Sequence, residues 1–224
     1  MQKKISSLKD KLKNQIPGKD LEESSTYFRN FKKRIILSEI SQNGLNDMYE
    51  YSILPEFYDY MDIKAPKTKN DTSDYIKKLL DRNKNGYKGG LANYWFINEI
   101  ITSKVIGTIG LVGIDIENKN AEIGYGLSPA YWGSGMIFEA LWLIIKYSFE
   151  TLKLENIHAE FDLHNLRTIS VLKAVGFEEN KGLEANHAIS GKKKKDLIHF
   201  ILYKNKVNLE RCLSFAKITS DNWK

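Results

Sequence analysis

The sequence predicts a mixed α/β fold, a single sheet with helices on both faces. Three observations point there. Strand-like and helix-like segments alternate through the middle of the chain instead of falling into separate blocks. A glycine turn, Trp132-Gly133-Ser134-Gly135-Met136, lies between a strand and a clear helical run. At 224 residues, 42% hydrophobic and 12% aromatic, the chain is long and apolar enough for one domain with a real core.

Along the chain, Ile5, Leu8, Leu12 and Ile16 share one helical face set among lysines, and Pro17-Gly18 stops that helix. Residues 1–30 therefore read as a basic amphipathic arm, packed on the domain or on a dimer mate, with a membrane-surface or partner-binding role as the alternative. Arg34–Ile40, rich in Ile and Leu, reads as a strand and Gly44–Tyr51 as a short helix. Tyr51–Met61 is crowded with aromatics. Asn70–Arg82 is a second helix, with Asp71-Thr72-Ser73-Asp74 supplying its cap. A polar loop, Asn83–Gly90, leads into strands Leu91–Ile97 and Val105–Ile114. Ala121–Leu127 is a strand, Gly133–Tyr147 a helix and Ile157–Leu163 a strand. Asn165–Val175 is a helix closed by Gly176. Phe177–His187 and Asp196–Tyr203 form a final hairpin with Lys192–Lys195 at its tip. The domain proper spans 31–204, and 205–224 is a polar tail.

Composition excludes several classes. One cysteine, Cys212, excludes an internal disulfide and fits a reducing compartment. Met1–Gln15 is charged throughout and unlike a secretory signal. The longest apolar run, near Ile137–Ile145, is broken by Glu139 and is too short to span a bilayer. A soluble, cytoplasmic protein is expected. Residues 1–34 hold ten Lys/Arg against four Asp/Glu, which is the whole net charge of +6; the remainder holds 24 of each sign. The basic character belongs to the arm and marks no nucleic-acid groove. His158, His164, His187 and His199 lack metal-ligand spacing, so no metal site is expected.

Three segments carry chemistry together. Ala121-Glu122-Ile123-Gly124-Tyr125-Gly126-Leu127 precedes the glycine turn, and Asn165-Leu166-Arg167-Thr168…Val175-Gly176-Phe177 follows it. Glycines at a helix start let amide N–H groups converge on one anion, beside the positive end of the helix dipole. In order and spacing the segments resemble the acyl-CoA core of the GNAT superfamily of N-acetyltransferases. Tyr131-Trp132-Gly133, Glu139-Ala140-Leu141 and the closing Gly176-Phe177 resemble the branch named for the ribosomal-protein N-terminal acetyltransferases. The resemblance covers roughly residues 32–204. Trp132 stands where Gln or Arg is usual, Ile137 where Gly or Ala is usual, and Leu172 where some relatives carry a tyrosine acid.

The resemblance implies a GNAT fold: a mostly antiparallel mixed sheet of about six or seven strands, its central strands splayed around acetyl-CoA as cosubstrate. Tyr125, Gly126 and Leu127 would pair with the pantetheine arm, and amides of Gly133, Ser134, Gly135, Met136 and Ile137 would hold the pyrophosphate. Asn165 would bridge the splayed strand and the cosubstrate. A primary amine would attack the thioester directly, whether that amine belongs to a protein N-terminus, a metabolite, an amino sugar or an antibiotic. A non-catalytic acyl-CoA-binding module is the reading from another class. Glu122 is the candidate proton acceptor, against a role in a surface charge pair; Glu160 and Asp162 are weaker candidates. Thr168 is the candidate donor to the leaving thiolate, against a capping role beside Asn165. The acceptor pocket is expected from Tyr51–Pro66 and the final hairpin.

Overall fold

The computed structural model describes residues 17, 33–61, 63–181, 197–208, 211–212 and 214–215. Seven strands form one sheet: β1 Ile35–Glu39, β2 Leu91–Glu99, β3 Val105–Asp115, β4 Asn120–Leu127, β5 Asn156–Asp162, β6 Glu178–Glu179 and β7 Leu197–Tyr203. Their order is β1-β2-β3-β4-β5-β7-β6. Every adjacent pair is antiparallel except β4 and β5. A parallel pair needs a crossover, here α3, Met136–Lys146, prolonged by a π-helical turn over Tyr147–Thr151. The predicted mixed, mostly antiparallel α/β sheet is the observed one.

The period-2 alternation of the central strands sends side chains to two separate cores. One face carries α3 and α4 (Leu166–Val175), with Ile109, Leu111, Ile123, Leu141, Ile144 and Phe200 buried between. The other carries α1 (Leu45–Ser52) and α2 (Lys69–Asn85), packed around Phe57, Ile76, Leu79 and Phe96. Helix α3 is apolar nearly all round and buried along its length, and Glu139 is its one acidic member.

Three local readings are corrected. The cap of α2 is Thr68, whose hydroxyl accepts from the Asp71 amide while Asp71 accepts from the Thr68 amide; the segment Asp71–Asp74 lies inside the helix. Helix α3 starts at Met136 rather than Gly133, because Gly133 and Gly135 have φ of 79° and 77°, a left-handed backbone that a helix cannot include. The segment read as a polar tail carries Cys212, 1% exposed and packed in the larger core, and Phe215, whose ring stacks on Phe138 at 5.5 Å. Burial pushes the Cys212 thiol up to about 12, so it does not supply a nucleophile.

The basic arm over 1–30 lies outside the described residues, apart from Pro17, and so does most of the hairpin's first strand together with its lysine tip. Among the described residues no helix is long and apolar enough to cross a membrane.

Candidate active site

The parallel pairing of β4 and β5 is short. It runs through Asn120↔Asn156, Ala121↔Ile157 and Glu122↔His158 and stops there. Beyond Glu122 the strands part, and β4 continues to Leu127 with only β3 beside it among the described residues. A cavity of about 490 Å³ opens in that gap. Tyr125, Gly126 and Leu127 line it from β4, Gly133 and Gly135 from the turn before α3, Ile137 from the first turn of α3, and Asn165 and Thr168 from the start of α4. The sequence had placed all eight at the cosubstrate.

The turn sorts its amides. The Ser134 N–H donates to the Tyr131 carbonyl at 3.3 Å, and the Met136 N–H donates to Ser134 Oγ at 3.2 Å. Ser134 Oγ itself donates to the Tyr131 carbonyl at 2.7 Å. Both side chains are buried away from the cavity. Ser134 and Met136 therefore spend their polar groups holding the turn, and the residues that reach the cavity are Gly133, Gly135 and Ile137. A Cβ on Gly133 would meet nothing within 4 Å. The turn is thus open on its cavity side, and it heads an 11-residue helix whose dipole points its positive end the same way. The donor set fits a pyrophosphate.

Asn165 caps α4: its Oδ1 accepts from the Thr168 amide at 3.1 Å, which leaves the Nδ2 group as its donor. Thr168 contributes its amide to that cap, and its hydroxyl lies beside the Tyr125 hydroxyl. Burial pushes the Tyr125 phenol well above its usual value and Thr168 draws it part of the way back. The phenol has no well-aligned hydrogen bond.

Glu122 is not among the cavity's lining. Lys88 holds it from both oxygens, at 2.6 and 2.8 Å, with the two side chains about one quarter exposed (20% and 27%). By strand alternation Glu122 shares its face of β4 with Gly124 and Gly126, and a Cβ on Gly126 would sit 2.9 Å from the Phe57 ring. Of the weaker candidates, Glu160 lies 3.4 Å from His199 Nε2, and Asp162 accepts from the His164 amide and ring at 2.9 Å. Among the described residues no cluster of His, Cys, Asp or Glu could hold a metal ion.

Glu56, Phe57, Tyr60 and Met61, inside the stretch expected to hold the acceptor, also line the cavity; none of the described hairpin residues does, and the rest of the hairpin lies outside the described residues. Other features escaped the sequence. Trp132 donates from Nε1 to the Leu127 carbonyl at 2.8 Å, and the Arg167 guanidinium stacks 3.8 Å above its ring. Arg34 reaches from the start of β1 to the Ser134 carbonyl at 2.7 Å and to Glu139 at 2.6 Å. The one available signal for that contact was an acid inside an apolar helix, since a buried charge needs a partner.

Known proteins share this architecture. A putative acetyltransferase from T. thermophilus superposes with a TM-score of 0.66 over 86% of this chain and 95% of its own, at 20% identity. Spermidine N-acetyltransferase from Vibrio cholerae, solved with CoA and spermine, gives 0.62 over 78% and 98%, at 16% identity. In sequence, the uncharacterized N-acetyltransferase p20 of Bacillus licheniformis is 32% identical over 66% of this chain and 82% of its own length. The [ribosomal protein uS5]-alanine N-acetyltransferase of Escherichia coli is 29% identical over 42% of this chain and 48% of its own length. The acetyltransferase (GNAT) domain family matches residues 34–178. That match contains β1 through the first residue of β6, and with it the parted strands, the glycine turn and the Asn-capped helix: the chain belongs to the GNAT family and is an acyl-CoA-dependent N-acetyltransferase.

Proposed function

We propose that this protein moves an acetyl group from acetyl-CoA to the α-amine of a protein or peptide. The observation that carries the reading is the parting of β4 from β5 beyond Glu122, directly beside a turn whose open amides head α3. Acetyl-CoA supplies an activated thioester. The chain's own residues then bind and orient it. Gly133, Gly135 and Ile137 hold the pyrophosphate, and β4 from Ile123 to Leu127 offers the pantetheine amides the edge that no described strand pairs, apart from the Leu127 carbonyl that Trp132 takes. A β4 amide stabilises the negative charge that develops on the thioester oxygen. Thr168, with the Tyr125 phenol behind it, donates to the departing sulfur. Most of the rate comes from positioning.

The choice of amine follows from the base. Glu122 lies outside the cavity's lining, on the Phe57 side of β4, and Lys88 donates to both of its oxygens at 2.8 and 2.6 Å. An alkylammonium near pKa ~10.4 needs a base in direct reach, whereas an α-ammonium near ~7.7–8.0 is already partly neutral at physiological pH. The cavity's acceptor wall of Phe57, Tyr60 and Met61 beside one carboxylate, Glu56, suits an ammonium on an apolar stem. The similarity to the uS5-alanine enzyme supports the same class.

The test is thioester consumption, with CoA binding measured alongside, against peptides with free N-termini, polyamines and amino sugars. Peptides are expected to turn over fastest. Preferred turnover of polyamines or amino sugars would move the acceptor class. Tight CoA binding with no acceptor consumed would make the protein an acyl-CoA-binding module.

A further inference from the structure

Glu139 belongs to none of the steps above, yet it is 3% exposed in the first turn of α3, the most apolar helix among the described residues. Its partner is Arg34, the residue before β1. Arg34 gives Glu139 its backbone amide (3.0 Å to Oε2), its Nε (2.6 Å to Oε1) and its Nη2 (2.6 Å to Oε1). The remaining branch of the guanidinium, Nη1, donates to the Ser134 carbonyl at 2.7 Å. A planar fork held on one side by a carboxylate presents its other side in a fixed direction.

The carbonyl it takes is half of the Ser134–Gly135 peptide. In a trans peptide the C=O and the N–H point in opposite directions. With the Ser134 oxygen drawn inward to Arg34, the Gly135 N–H is turned outward, and Gly135 lines the cavity. The left-handed φ of 77° at Gly135 lets the next residue enter α3 directly from that orientation. The guanidinium is what fixes this peptide plane, since the Ser134 hydroxyl ties the Tyr131 carbonyl and the Met136 amide and leaves the peptide between them alone.

We infer that Arg34, clamped by Glu139, is a positioning residue for the cosubstrate: by holding the Ser134 carbonyl it aims the Gly135 amide at the pyrophosphate. This rests on the acetyl-CoA reading above. Arg34 itself touches no substrate. Its charge is cancelled by Glu139, so it acts through the peptide it orients and not through its own field.

Replacing Arg34 alone would strand a buried carboxylate and unfold part of the sample. The test therefore uses Arg34→Met/Glu139→Gln, which removes both charges and leaves an acceptor for the β1 amides. Calorimetry compares CoA with pantetheine, which lacks the pyrophosphate. The double variant, folded by its melting curve, is expected to bind CoA about 10–100-fold more weakly, the range for losing one hydrogen bond to a charged group. Pantetheine binding should stay within about 2-fold of the parent. Restoring the arginine, as Glu139→Gln alone, should recover most of the CoA affinity. A folded double variant that binds CoA like the parent, or that loses CoA and pantetheine in equal proportion, overturns the inference while leaving acetyl transfer standing. A parent protein that does not bind CoA overturns both.

Discussion

Replacing Glu122 by Gln separates its charge from its shape. Glu122→Gln breaks the ion pair to Lys88 and removes the carboxylate from the acceptor face of β4. If it takes the amine's proton, turnover should fall by about 10²–10⁴-fold with CoA affinity unchanged, and the loss should shrink at high pH, where more of the amine is neutral. Lys88→Met is the control: it also breaks the pair but leaves the carboxylate. Full activity in Glu122→Gln, with both variants losing similar stability, would assign Glu122 to the pair alone. Next to it, His158 reports on pH. Burial lowers its pKa below the usual value of about 6.5, the facing Glu122 raises it, and His199 lowers it again. The folded state therefore keeps His158 neutral where the unfolded chain protonates it. The unfolded state binds more protons below about pH 6.5, so stability is full above that value and declines as pH falls toward the lower folded pKa. Thermal melts between pH 8 and 5 should show this decline. His158→Gln, which leaves Glu122, Glu160 and Lys88 in place, should flatten it.

At the scale of the element, the glycine turn and the helix starts decide most. Gly135→Val forces a β-branched residue into a left-handed backbone, a cost of about 1–2 kcal/mol, and places a side chain where the pyrophosphate should lie. Calorimetry should show CoA binding lost at a temperature where circular dichroism still reports a folded protein; unchanged CoA affinity would put the cosubstrate elsewhere. Thr68→Ala, which opens the capping box of α2 far from the cavity, should cost about 1 kcal/mol and leave CoA binding alone. These elements also show what was legible in the sequence. Strand alternation and helix periodicity are local, so every strand from Arg34 to Leu163 was readable within a few residues. The sequence placed Asn165 as the first residue of its helix, within one residue of the observed start, but not as the cap it is, although an Asn before an apolar periodic run is a common capping signal. Thr68 was passed over because Asp, Thr, Ser and Asp crowd the following turn and all compete for the same reading. The Arg34–Ser134 contact left only the indirect signal of Glu139 inside an apolar helix: it joins residues 100 apart, and nothing local to β1 announces it.

For the whole molecule, the two cores are unequal. In the proposed reaction the cosubstrate would lie toward the face holding α3 and α4, and the acceptor toward the face holding α1, α2 and Phe57. Gly126 is where the acceptor face leans hardest on the strand, with no room for a side chain beneath Phe57 and Met61. The chain's charge excess lies in residues 1–34. Deleting residues 1–30 stops short of Arg34 and should leave CoA affinity unchanged. A stripe such as Ile5, Leu8, Leu12 and Ile16 is marginal as an isolated helix and needs a surface to cover it. Its removal should therefore lower the melting temperature or change the mass seen in sedimentation. Unchanged melting and mass, with lost binding to anionic vesicles, would place the arm on membranes.

The short pairing between β4 and β5 has a consequence for solvent. In a strand with a neighbour on one side only, every second amide proton faces outward and trades freely with deuterium, while those between are protected. Among the described residues, β4 is such a strand from Ile123 to Leu127. A molecule that docks along the gap as a substitute strand should slow exchange at alternate positions of this segment and leave β2 and β7 as they were. That pattern would mark the thioester's place at single-residue resolution without any knowledge of which amine receives the acetyl group.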